Sequence, residues 1–203
     1  MSVHSAEEID RSESEPRAGK RRADAERNLS RIIEAATSLL AVNPRASMAE
    51  IAEASGLVRA TLYRHFPTRE ELLQAIYSAA LEDALAAILA AEPERGNATE
   101  AIARVVEALL VVGDRYQILN AARRDYPELR EQEESVGAPL IALVERGQRS
   151  GEIRGDMPLR WLVASLASLL TEALRAVARG DIARAEAGSL ATRTFLESMR
   201  PRG

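Results

Sequence analysis

The sequence predicts an all-α protein of about nine helices, and three observations predict it. Apolar residues recur at helical spacing along most of the chain. Two S/T-x-x-E patterns mark helix starts, and no segment alternates apolar and polar residues as a strand would. The 203 residues suffice for one large or two small domains with a buried core. A composition of 46% hydrophobic and 29% charged residues excludes wholesale disorder.

Residues 1–24 are polar and lack apolar periodicity, which predicts a disordered tail ending in the basic cluster Arg17, Lys20, Arg21 and Arg22. Such a run is either a solvated segment or an arm for the minor groove. Helical spacing then begins. Leu29, Ile32, Ile33, Ala36 and Leu40 share one helix face, and Asn43-Pro44 stops the run. Ser47-Met48-Ala49-Glu50 has the form of a capping box and opens a short helix with Met48, Ile51 and Ala52 turned inward. Gly56 closes it after Ser55. A third short helix runs from about Val58 to Phe66 and ends at Pro67.

Thr68-Arg69-Glu70-Glu71 forms a second capping box. It opens a long helix whose stripe is Leu72, Leu73, Ile76, Ala80, Leu81, Leu85, Ile88 and Leu89, closed by Pro93 and Gly96. Further helices are expected over 98–112, over 114–124 after a break at Gly113, and over 128–149, the last interrupted in pattern by Gly137 and Pro139. Asp156, with Pro158 in the first turn, opens a helix that ends at Arg179-Gly180, and Asp181 caps a final helix to about Met199.

Charge is unevenly placed. Residues 1–19 carry 2 basic and 5 acidic groups, residues 20–70 carry 9 and 6, and residues 71–203 carry 16 and 20. A basic segment within an acidic chain suits one module that meets a polyanion, although a mixed solvated face gives the same count. All cations but Lys20 are arginines, so the planar guanidinium fork is the available cationic group.

Two short helices joined by Ala54-Ser55-Gly56-Leu57, on a longer preceding helix and in this basic stretch, form a helix-turn-helix, whose second helix fits the major groove. Leu62 and Phe66 are four residues apart and turn to the core. That leaves Arg59, Ala60, Thr61, Tyr63, Arg64 and His65 spread over the faces available to DNA. An arginine there can read guanine through two parallel hydrogen bonds, while Thr61, Tyr63 and His65 can donate to phosphate oxygens.

The run Gly56-Leu57-Val58-Arg59-Ala60-Thr61-Leu62-Tyr63-Arg64-His65-Phe66-Pro67-Thr68-Arg69-Glu70-Glu71-Leu72-Leu73 resembles the DNA-binding signature of the tetracycline-repressor (TetR) family. The resemblance is close over residues 25–73. It implies that Arg59 contacts bases, that Thr61, Tyr63 and His65 contact phosphates, that Arg69 holds the DNA backbone, and that Ser47 supplies a further phosphate contact. It also implies a palindromic double-stranded operator, a homodimer, and an unknown small-molecule effector held by the C-terminal helices. Val58 departs from the Ser or Thr common at its position, so the third helix lacks that side-chain cap. The domains implied are the tail 1–24, a helix-turn-helix domain over 25–70, and an effector-binding and dimerisation domain over 71–203. Beyond residue 73 only the general plan is shared, including Gly151-Glu152-Ile153-Arg154 and Thr192-Arg193-Thr194-Phe195-Leu196.

For the effector, the scarce aromatics Tyr116, Tyr126 and Trp161 stand among small and aliphatic residues with Gln117, Asn120, Arg123 and Arg124 nearby. The same aromatics also suit a plain core. Arg123 and Arg124 pair with Asp125 and Glu128 or with an anionic ligand, and the ion pairs are the simpler reading. For the dimer, the face carrying Leu162, Leu166, Leu169, Leu170 and Leu174 is wider than one core contact requires. With Phe195 and Leu196 of the last helix it is expected to form half of a four-helix interface.

An enzyme is not expected. The chain has no cysteine, its histidines are His4 and His65, and neither has a Glu three residues before it as a carboxylate–histidine metal pair would require. No cofactor or metal is implied. Trp161–Thr171, the uncharged stretch of the apolar C-terminal region, is too short to span a bilayer, and residues 1–10 lack an export pattern, so the reading is cytoplasmic. The expected function is a ligand-responsive, sequence-specific transcriptional regulator, a repressor by preference. A DNA-binding dimer without an effector is the alternative, and an all-helical enzyme the remote one.

Overall fold

The computed structural model describes residues 26–116 and 126–200. The expected tail 1–24 and residues Gln117, Asn120, Arg123, Arg124 and Asp125 lie outside them. The described residues are helical and contain no strand. The chain divides into two compact units after Leu72.

In the first unit, helix α1 spans 26–42 and buries Ile32, Ala36 and Leu40. Leu29, expected on that face, stands 36% exposed. Helix α2 (Met48–Ala54) begins with the expected capping box: the Ser47 N–H donates to Glu50 Oε2 at 2.7 Å, and the Glu50 N–H donates to Ser47 Oγ at 3.3 Å. Gly56 adopts φ +67°, a left-handed turn that a Cβ would strain, and lets α3 (Arg59–His65) pack against α2. Leu62 and Phe66 are buried, as their spacing requires.

Helix α4 (Arg69–Ala90) is capped by Thr68, whose hydroxyl accepts from the Glu71 N–H at 3.2 Å. Leu72, Leu73, Ile76, Ala80 and Ile88 of its stripe are buried, while Leu89 is 57% exposed. In the second unit, α5 (Ala98–Arg115) is capped by Asn97, and α6 (Arg130–Arg149) follows a single 3-10 turn, Pro127–Leu129. Helices α7 (Leu159–Arg179) and α8 (Arg184–Ser198) complete it. Helices α7 and α8 pack on each other and both pack on α5, while α6 packs on α5 and α7.

Three expected boundaries are corrected. Gly113 does not break a helix: α5 runs through it, and no helix starts at 114. A Cβ at Gly113 would lie 2.2 Å from Leu174 Cδ1, so this glycine serves the close approach of α5 and α7. The single helix expected over 128–149 is present as α6 and runs on through Pro139. Proline removes the bond to the carbonyl four residues back, and Ser135, which owns that carbonyl, is exposed to water. Neither Asp156 nor Asp181 caps a helix. Asp156 pairs with the buried Arg154 and Asp181 with Arg179, leaving Pro158 and Ala183 as the N-caps.

The residues expected at a dimer interface also serve the single chain. Leu162, Leu166, Leu170 and Phe195 are buried in the chain's own core, and Leu169, Leu174 and Leu196 are partly buried against it. Helix α7 meets α5, α6 and α8 in one chain, which explains the width of its apolar face. By length and composition α4 and α7 are each apolar enough to cross a bilayer, so the expectation that no segment reaches that length is corrected too.

Arginine forks on backbone carbonyls fasten the loops. Arg104 donates to the carbonyls of Ala91, Glu92 and Arg95, and Arg146 to those of Pro93 and Gly96, so the α4–α5 loop is tied to two helices.

Candidate nucleic-acid interface

Helix α3 presents its polar residues on the sides that Leu62 and Phe66 leave free. Arg59, Ala60 and Arg64 are exposed, Tyr63 is 46% exposed, and Thr61 is half-buried. Val58, 71% exposed, is the N-cap and makes no side-chain cap bond, as its type dictates. Arg59 and Arg64 make no ion pair among the described residues, which leaves two guanidinium groups open on one short helix. His65 is half-buried, and its Nε2 is enclosed with no hydrogen-bond partner.

Ser47 and Arg69 are both engaged within the unit. The Ser47 hydroxyl donates to Glu50 Oε2 at 2.7 Å, and these Ser47 bonds hold the Glu50 carboxyl below the usual carboxylate range. A phosphate at this corner competes with Glu50 for the hydroxyl. Arg69 donates from Nη1 to the Ala46 carbonyl and from Nη2 to the Pro44 carbonyl at 2.8 Å. Arg69, expected from the resemblance to hold the DNA backbone, lies on these two carbonyls in the single chain. Arg31, unremarkable in the sequence, donates from Nη2 to the Ser55 carbonyl at 3.0 Å. No sequence signal points to a pairing 24 residues apart.

Residues 32–76 match the family described as bacterial regulatory proteins, tetR family. That match places a segment similar to the family's DNA-binding part over the helix-turn-helix. The chain is 39% identical over 88 residues to the HTH-type transcriptional repressor LfrR of Mycolicibacterium smegmatis, a match covering 43% of this chain and 47% of the relative. The match thus spans about half the length of that curated relative. The fold is shared with the TetR-like regulator LfrR from Mycobacterium smegmatis, solved in complex with proflavine (TM-score 0.71, 24% identity, 87% of this chain and 99% of that one). It is also shared with a TetR family regulator from Marinobacter aquaeolei VT8 (TM-score 0.69, 23% identity, 90% and 100%).

In the second unit the expected effector residues separate. Tyr116 caps α5 and is buried, its hydroxyl donating to Asp83 Oδ2 at 2.9 Å. Arg115 reaches the same oxygen at 2.8 Å and lies 5.3 Å over the Tyr116 ring. Burial first, and then Asp83, push the phenol up to about 12. Tyr126 is buried with its ring 5.5 Å from that of Tyr77, a residue the sequence reading passed over. The Tyr77 hydroxyl donates to Glu133 Oε1 at 2.7 Å, and Ser78 donates to Gln132 Oε1 at 3.0 Å. Helix α4 thus meets Tyr126 and Glu133 through Tyr77, and Tyr116 and Arg115 through Asp83.

Trp161 is not part of this group. It stands 64% exposed at the start of α7. Two clefts lie elsewhere in the unit. One, of about 500 Å³, runs between α5 and α8 past Ala103, Glu107, Arg193 and Leu196. The other, of about 660 Å³, follows α4 and α5 past Ala87, Ala91, Glu107 and Val111.

Proposed function

We propose that the chain is a cytoplasmic transcriptional repressor that binds a palindromic DNA operator as a homodimer and is released by a small molecule. The observation that carries the DNA reading is α3 itself: Arg59, Tyr63 and Arg64 exposed on a helix fixed by Leu62 and Phe66. Arg59 is assigned to a base edge and Tyr63 to phosphate. The LfrR relative supports repression by its description.

For self-association the available surface is the outer side of α7, where Trp161, Ala164, Ala167 and Ser168 are exposed, together with Leu190 of α8 at 36% exposure. Small residues at that spacing let a second helix approach closely, and the indole supplies an anchor. For the effector, Tyr77, Tyr116 and Tyr126 with Asp83 and Glu133 suit a planar aromatic molecule, in keeping with proflavine in the LfrR complex. Such a ligand acts only by binding the DNA-incompetent state more tightly. It must therefore raise the melting temperature of the free protein and lower its DNA affinity together.

The contact roles separate in one experiment. Arg59→Ala is expected to lose about 1–3 kcal/mol on the preferred duplex and little on random DNA, relaxing preference at one base pair. Tyr63→Phe is expected to weaken both duplexes equally. Fluorescence anisotropy on the two DNAs reads both, and equal losses for Arg59→Ala would show that Arg59 reads no base.

A further inference from the structure

Helix α2 has only seven residues, too few to hold a helix by propensity alone. Its two ends are nevertheless fixed by guanidinium groups that come from distant parts of the first unit. Before the helix, Arg69 spans two carbonyls of the α1–α2 turn, Pro44 at 2.8 Å and Ala46 through its other terminal nitrogen. After it, Arg31 holds the carbonyl of the C-cap residue Ser55 at 3.0 Å. The Ser55 carbonyl lies at the negative end of the helix, where a cation and a donor are both favoured.

We infer that Arg69 and Arg31 are positioning residues for DNA binding: they clamp the two turns that flank α2 and so set the angle at which α3 is offered, rather than neutralising phosphates. The inference rests on the DNA-binding reading above. It differs from what the family resemblance implies for Arg69, a direct hold on the DNA backbone. The same use of arginine recurs in the second unit, where Arg104 and Arg146 fasten the α4–α5 loop by its carbonyls. Spanning two carbonyls needs the planar fork, which a lysine ammonium cannot reproduce although it keeps the charge. A phosphate contact, by contrast, tolerates lysine well.

The test uses the full chain, a duplex enriched from a random library, a random duplex, and a salt series. Arg69→Lys and Arg31→Lys are each expected to lose about tenfold in affinity for the enriched duplex, with less loss on random DNA and an unchanged slope of log affinity against log salt. Arg69→Ala is expected to lose no more than about threefold beyond Arg69→Lys. Amide hydrogen exchange without DNA gives a second reading. The Ala46 N–H, bonded to the Asn43 carbonyl, should exchange at least about tenfold faster in Arg69→Lys, and the Leu57 N–H, bonded to the Ala52 carbonyl, likewise in Arg31→Lys. The inference is overturned if Arg69→Lys binds as the unmodified chain does while Arg69→Ala loses about one unit of salt slope, or if exchange at both amides is unchanged. Failure of the unmodified chain to prefer any duplex would instead overturn the DNA-binding reading; exchange would still report whether the clamps hold α2.

Discussion

Phe195→Ala is expected to remove about 3–5 kcal/mol of unfolding free energy, because the ring is fully buried and its loss leaves a cavity that α5, α7 and α8 cannot fill. The position decides between two roles. Counted among the interface residues, Phe195 would act mainly on dimer dissociation, and its effect would shrink on dilution. Inside the chain's own core it acts on every copy. Urea unfolding at two protein concentrations should therefore show the same loss at both. A loss under about 1 kcal/mol, with dimer dissociation strengthened or weakened instead, would return Phe195 to the interface.

Trp161→Ala is the complementary case. The indole is exposed, so its removal should leave the stability of the single chain nearly unchanged. On the proposed α7 surface it is the largest apolar group, and anchors of this type cost about 2 kcal/mol or more when truncated. Sedimentation should show dissociation weakened in affinity by about thirtyfold, with the far-ultraviolet spectrum preserved. Unchanged self-association would move the dimer surface off α7, and the adjacent exposed Ala164, Ala167 and Ser168 would lose their assigned role.

The elements near the N-terminus were legible because their signals are local. Ser47-x-x-Glu50, Gly56 and the Leu62–Phe66 pair each specify their own turn of chain, and the structure places them as read. Gly113 misled because a residue's intrinsic preference was read without the neighbour that overrides it, Leu174. The leucines of α7 raise a related point. Periodicity shows that a face is apolar and cannot show whether the covering surface belongs to the same chain or to another. The guanidinium clamps of Arg31 and Arg69 were beyond sequence reading altogether, since a fork that reaches 23 to 25 residues away leaves no pattern. The tyrosine group was half legible: Tyr116 and Tyr126 were found by their scarcity, while Tyr77 was hidden in the long stripe of α4.

The most direct measurement is selection of bound fragments from a random duplex library by the purified full-length chain, at near-physiological salt so that non-specific phosphate binding is suppressed. The proposed function predicts enrichment of one palindrome, with half-sites about one or a whole number of helical turns apart, as two symmetric α3 helices in adjacent major grooves require. A folded chain that enriches no sequence, or only an unpaired half-site, would contradict the reading of this protein as a dimeric, sequence-specific regulator.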